Sequence, residues 1–115
     1  MTTADPIVFD VNLSDFNQQV LVASQHIPIL VDFWAEWCSP CIAIDPVLKR
    51  VVESFDQQVR LAKLEVDEGE NMKLAGKYRV RGFPTIILFK DGEEQDRFSS
   101  AKPAHFIEAF IQAHL

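Results

Sequence analysis

Positive charge is scarce in this 115-residue chain: 11 lysines and arginines stand against 17 aspartates and glutamates, for a net charge of -6. Such a surface repels phosphate backbones and anionic lipid, so nucleic-acid binding loses its electrostatic drive. Long apolar runs are missing as well. The most apolar stretch, 27–35, already contains Pro28 and Asp32 and falls far short of the roughly 20 residues that cross a bilayer. Met1 to Asp10 carries no lysine or arginine and includes Asp5 and Asp10, unlike the basic start of a secretory leader, so a cytoplasmic chain is expected. With only 4 glycines and 6 prolines, and no repeats or linker-like segments, collagen-like and low-complexity readings are excluded. Cysteine is down to Cys38 and Cys41. A bridge between them closes so small a loop that it can add little by restraining the unfolded chain, so the pair serves chemistry or metal rather than stapling.

What remains is an ordinary folding composition. Hydrophobic residues make up 48% and charged residues 24%, and the length is that of one domain, so residues 1–115 are expected to form a single globular unit. Ser14 or Asp15 can cap a helix toward Ser24 that buries Phe16, Val20 and Ala23, with Pro28 ending the pattern. Ile29, Leu30, Val31, Phe33 and Trp34 suit a central strand covered on both faces, and a short strand at Ile7 to Val11 can precede it. Pro40 opens a helix that runs through Val47, Leu48, Val51, Val52 and Phe55, with Pro46 expected to bend it. Val59 to Val66 reads as a second buried strand, Asn71 to Lys77 as a short helix, and Thr85 to Phe89 as a third strand. Asp91-Gly92 signals a hairpin into Glu93 to Ser99, and Pro103 starts a last helix with Phe106, Ile107, Phe110 and Ile111. This alternation predicts an α/β fold, a mixed sheet between helices.

Trp37-Cys38-Ser39-Pro40-Cys41 falls where the apolar strand meets a helix. At a helix N-terminus, free backbone N–H groups and the helix dipole favour a thiolate, which makes Cys38 the attacking sulfur. Cys41, three residues on, shares its helix face and can resolve a mixed disulfide. Half of a zinc site is the alternative, and it needs two more ligands. Only His26, His105 and His114 are at hand, with His105 and His114 badly spaced, so no metal is expected. Asp32 is the odd residue of its run: an unpartnered buried carboxylate should hold its proton more tightly than in water.

Val31-Asp32-Phe33-Trp34-Ala35-Glu36-Trp37-Cys38-Ser39-Pro40-Cys41, Ala62-Lys63-Leu64, Val80-Arg81-Gly82-Phe83-Pro84-Thr85 and Leu88-Phe89-Lys90-Asp91-Gly92 together resemble the thioredoxin family, in its order and spacing and over nearly the whole chain. The resemblance implies the thioredoxin fold and a protein-disulfide reductase with Cys38 as nucleophile and Cys41 as resolving thiol. It matches Asp32 to the family's buried acid, which takes the Cys41 proton, and Lys63 to the lysine beside that acid. A plain structural Asp32–Lys63 pair is the alternative. It also implies a cis bond before Pro84, and an apolar rim of Trp37, Gly82 and Phe83 around Cys38 on which an extended substrate lies. Ser39 and Pro40 belong to the same substrate-facing surface, whereas Trp37 could instead be core and Trp34 reads as plain core. No bound cofactor is implied: the redox group is the Cys38/Cys41 disulfide, and NADPH acts only indirectly, through a flavoprotein thioredoxin reductase. Disulfide-containing client proteins are the other partners, and a monomer is the family default.

Several positions depart from the family pattern. Ser39 stands where glycine is usual, so the redox poise can shift and an isomerase or oxidant becomes the alternative enzyme. A thioredoxin-like chaperone or binding module is the alternative outside enzymes. Ile42 replaces a usual basic residue and Asp45 adds a negative charge one turn on, and both should disfavour the Cys38 thiolate. Ser99 and Ser100 replace a valine and a glycine. Lys77, Arg79 and Arg81 form a basic cluster that either docks an acidic partner or is simply solvated.

Overall fold

In the computed structural model, which describes residues 6–115, the apolar run Ile29–Trp34 is the middle strand of a five-stranded sheet. In chain order the strands are β1 (Val8–Asp10), β2 (Ile29–Trp34), β3 (Arg60–Glu65), β4 (Thr85–Lys90) and β5 (Glu93–Ser99). They lie side by side as β1-β3-β2-β4-β5. β3 runs parallel to β1 and β2, while β4 is antiparallel to β2 and β5 to β4, which makes the sheet mixed, as expected. The expectation about Met1 to Asp10 falls partly on residues outside those described.

Side chains alternate across a strand, so each strand feeds two cores. Ile29, Val31, Phe33, Ile87 and Phe89 join Phe16, Val20, Leu74 and Ala75 on one face. Leu30, Leu61, Ile86 and Leu88 join Ile44, Leu48, Val52, Ile107 and Ile111 on the other. The second face is thus covered by α1 (Ser39–Ser54) and α3 (Ala104–Gln112), and the first by the N-terminal helical segment and α2 (Met72–Lys77). α1 continues through Pro46. Asp32 has the parity of Leu30, so its carboxyl is delivered into the layer between the sheet and α1.

The N-terminal helical segment corrects the expected one. It begins at Leu13, before Ser14 and Asp15, and is not uniform: 3₁₀ turns at Leu13–Asp15 and Ala23–Gln25 flank wider π-type turns at Asn17–Val22. Its start is held from afar, the Leu13 N–H donating to Asn71 Oδ1 at 2.7 Å, while Asp15 Oδ1 accepts from the Asn12 N–H at 2.9 Å. Phe16 and Val20 are buried as expected. At the β4–β5 hairpin, Asp91 and Gly92 both take left-handed backbone (φ 58° and 81°), the conformation that a two-residue turn of matching twist requires. Ser24 anchors it, its carbonyl accepting from the Asp91 N–H and its Oγ from the Gly92 N–H, both at 2.9 Å.

Candidate active site

Cys38 ends the link from β2 and is the N-cap residue of α1. Its backbone N–H donates to the Ala35 carbonyl at 3.1 Å, and its Sγ accepts the Cys41 backbone N–H at 3.2 Å. A helix N-terminus leaves such N–H groups without intrahelical partners, and here one points at sulfur. Pro40, in the first turn, has no N–H to leave unsatisfied. Cys41 lies one turn along, buried, and is joined to Cys38 in a disulfide with a Cα–Cα separation of 5.2 Å. Cys38 itself is 5% exposed, whereas Ser39 and Pro40 between the cysteines are exposed.

Trp37, next to Cys38 in the chain, meets the Phe83–Pro84 loop. Trp37 is 65% exposed, so it is no core residue. Its ring meets Phe83 edge to face at 5.8 Å between centroids, and its Nε1 donates to Asp67 Oδ2 at 2.7 Å. The Phe83–Pro84 bond is cis, Pro84 is buried, Phe83 half-buried and Gly82 exposed. Two bonds tie this loop down: Thr85 Oγ1 donates to the Gly82 carbonyl at 2.6 Å, and the Ser100 N–H to the Pro84 carbonyl at 3.1 Å.

Behind Cys41 lies a buried charge cluster. Asp32 and Lys63 are register partners in the parallel β2–β3 pair, so their side chains emerge together on the α1 face. Lys63 Nζ donates to Asp32 Oδ2 at 2.7 Å and also to Asp45 Oδ1, while Lys49 Nζ pairs with Asp45 Oδ2 at 2.8 Å. Asp32 Oδ1 has no hydrogen-bond partner among the described residues. Burial raises the Asp32 carboxyl above its ordinary value, and Lys63 only partly opposes this. Burial pulls on Lys63 in the other sense, but the charges and hydrogen bonds of Asp32 and Asp45 outweigh it and keep the lysine firmly protonated. Asp45 is likewise pushed up by partial burial, yet its bonds to Lys49 and Lys63 leave it lowered and ionised. A cleft of about 340 Å³ is lined by Cys41, Ile42, Asp45, Lys49, Lys63 and Trp34, among others, and so joins this cluster to Cys41.

The expected site residues therefore fall into two groups: Trp37, Ser39, Pro40, Gly82 and the half-buried Phe83 at the surface, and Cys38, Cys41, Pro84, Asp32 and Lys63 buried. Two expectations change. The negative charge of Asp45, expected to act on Cys38, is taken up by two lysines. Trp34 is only half-buried and lines the cleft, with Lys63 Nζ 5.0 Å from its ring centroid, because the cleft keeps one side of the indole free of packing. Sequence reasoning missed Asp67, whose bond to Trp37 spans 30 residues, and the pairing of Asp45, for which the i,i+4 spacing to Lys49 was the available signal. Lys77, Arg79 and Arg81 are exposed. Among the described residues, no three His, Cys, Asp or Glu side chains gather as metal ligands, and no helix is long and apolar enough to cross a membrane.

The family model for thioredoxin matches residues 7–113. The thioredoxin of Pseudomonas aeruginosa is 42% identical over 107 residues, which cover 91% of this chain and 95% of that protein. Thioredoxin 1 of Synechococcus elongatus is 39% identical over 100 residues, 87% of this chain and 90% of its own. The chloroplastic thioredoxin M4 of Arabidopsis thaliana is 38% identical over 104 residues, 90% of this chain but 53% of that longer protein.

Proposed function

The chain belongs to the thioredoxin family and is a thiol-disulfide oxidoreductase that reduces protein disulfides through Cys38 and Cys41; on that premise we propose how its residues divide the work. Cys38 as thiolate attacks one sulfur of a client disulfide, forming a mixed disulfide and releasing the client's other sulfur as thiolate. Asp32 then takes the proton from Cys41 Sγ. The Cys41 thiolate attacks Cys38 Sγ, the bond to the client breaks, and the client leaves with its second thiol while the Cys38–Cys41 disulfide forms. Two electrons pass from the protein to the client, and the client's two thiolates take up two protons, one released through Asp32 from Cys41 and one from solvent. Lys63 holds Asp32 in place and offsets its charge.

The observation that carries the order of attack is the Cys41 N–H aimed at Cys38 Sγ at the start of α1, which favours the thiolate at Cys38 and not at Cys41. Trp37, Ser39, Pro40, Gly82, Phe83 and Pro84 form the surface on which an extended client segment lies, with the exposed Trp37–Phe83 edge as its apolar part. Residues 1–115 act as one thioredoxin domain, a reading supported by the family match over residues 7–113, and as a monomer in the cytoplasm. A flavoprotein reductase using NADPH returns the disulfide to the dithiol.

Trapping tests the order. With an oxidised client, Cys41→Ser should accumulate a mixed disulfide at Cys38, and Cys38→Ser should accumulate none, as read by mass under non-reducing conditions. The reverse pattern refutes the assignment.

A further inference from the structure

The base step has an unbalanced moment. When Asp32 accepts the Cys41 proton it becomes neutral, and Lys63, a buried cation, loses the charge of its fully buried partner. A buried charge stripped of its counter-ion is costly, so an Asp32–Lys63 pair standing alone would resist the protonation on which the reaction depends. Here Lys63 does not stand alone. Its ammonium also bonds Asp45 Oδ1, and Asp45, with a side chain 27% exposed, reaches from the buried cluster toward solvent along α1. We propose, on the reading of Asp32 as the base, that Asp45 is the standby counter-ion of Lys63: a positioning residue that keeps the lysine paired while Asp32 takes up the Cys41 proton and later gives it back.

The geometry carries this division of labour. The charged groups facing Asp32 are Lys63 from β3 and Asp45 and Lys49 from α1, while β4 presents Ile86 opposite it in register. Asp10 of β1 lines the same cleft. Of Asp32's two oxygens, one receives Lys63 and the other has no partner among the described residues, so the lysine's remaining donors are directed elsewhere. They go to Asp45, whose other oxygen is fixed by Lys49. Asp45 thus draws Lys63 away from Asp32 and adds a like charge nearby, and both effects make Asp32 hold a proton more readily. Ion-pairing of Asp45 with Lys49 limits the pull. The two α1 residues, one turn apart, set the base strength from opposite sides.

The test titrates the Asp32 carboxyl by ¹³C NMR in the full-length oxidised protein, together with single-turnover resolution of a trapped mixed disulfide. Asp45→Asn should move the Asp32 midpoint to lower pH and slow resolution on its alkaline plateau by roughly threefold, the attenuated response of a general base made weaker. Lys49→Gln, which leaves Asp45 wholly to Lys63, should move the midpoint the other way. Opposite displacements establish the standby role. An unmoved midpoint in Asp45→Asn, or displacement in the same direction by both variants, overturns it. Asp32→Asn separates the two claims: if it leaves the resolving rate unchanged, the base assignment fails, whereas the role of Asp45 is still decided by the two midpoints.

Discussion

Two buried polar side chains sit in this small fold under opposite terms. Asn71 on the N-terminal side of the sheet is fully used: its Oδ1 accepts the Leu13 N–H at 2.7 Å, and its Nδ2 donates to Asn12 Oδ1 at 2.8 Å and to the Glu65 carbonyl at 2.9 Å. Asp32, 0% exposed on the α1 side, has one oxygen bonded to a lysine and the other without a partner among the described residues. Nearly all buried polar groups in folded proteins are hydrogen-bonded, so a satisfied one reads as architecture and an unsatisfied one asks for another reason. For Asp32 the reason we propose is a proton that comes and goes.

The sharpest way to break that contrast is to truncate the satisfied group. Asn71→Ala strands the Leu13 N–H, leaves the Glu65 carbonyl with only the Glu68 N–H, and unties the start of the N-terminal helical segment. It should lower stability by about 3 kcal/mol, measured by chemical denaturation, because the abandoned Leu13 N–H costs about 1–3 kcal/mol and the bonds to Asn12 and the Glu65 carbonyl are lost with it. Disulfide exchange at Cys38 in the folded protein should be unchanged. Asp32→Asn should do the reverse: the fold persists and the resolving step slows roughly 100-fold, equivalent to about 2.7 kcal/mol of barrier, the lower end of what a positioned base supplies. A resolving rate within twofold of wild type would put Asp32 with Asn71 as architecture.

The contrast also predicts a pH dependence of stability. Asp32 in the folded protein gives up its proton later than the ordinary 3.8, since burial raises its value. Between the unfolded and folded values the unfolded chain binds fewer protons, so stability falls as pH rises through that window and then levels off. Asp45 works the other way and lower down: its lowered value contributes stability present above the ordinary carboxylate value and lost as pH falls through the folded one. Lys63, raised, contributes stability that is fully present below 10.5 and lost only at higher pH, as the folded value is passed. Above the ordinary carboxylate range, Asp32 is therefore the main source of declining stability, with Glu65 adding to it because partial desolvation and the neighbouring Glu36, Glu68, Asp67 and Asp10 raise its carboxyl. Denaturation midpoints of wild type and Asp32→Asn should diverge with rising pH across this window. Parallel curves would remove the buried titration.

How much of this was legible in the sequence follows the reach of the interactions. The Ile29 to Trp34 run, the Asp91-Gly92 turn and the start of α1 at Ser39-Pro40 are written in adjacent residues, and each element stands where periodicity and turn chemistry place it. Asp32 was legible as a charge inside an apolar run. Lys63 as its partner came through family resemblance, because only strand register brings residues 31 apart together. Asn71 was not legible as a buried anchor: its partner Leu13 lies 58 positions away, and an asparagine before a short helix looks like an ordinary cap. The same distance explains the misplaced start of the N-terminal helical segment, which local capping rules put at Ser14 or Asp15. Asp45 was visible as a charge one turn from Cys41, but where it spends that charge depends on how α1 lies over β3.

The two tryptophans give the smallest version of the comparison. Trp34 Nε1 is buried without a partner among the described residues, while the 65% exposed Trp37 has its Nε1 held by Asp67. An exposed indole gains little from holding one rotamer unless something fixes it, and here a hydrogen bond and the edge of Phe83 do so, giving the apolar face that we propose a client meets. Asp67→Ala removes one of the two restraints. An exposed hydrogen bond of this kind is worth about 0.5–1.5 kcal/mol, so KM for a protein disulfide should rise roughly threefold with kcat unchanged, and the fluorescence anisotropy of Trp37, measured in a Trp34→Phe background, should fall. If anisotropy falls while KM stays put, the rim tolerates a mobile indole and client binding rests on Phe83 and the Pro84 loop instead.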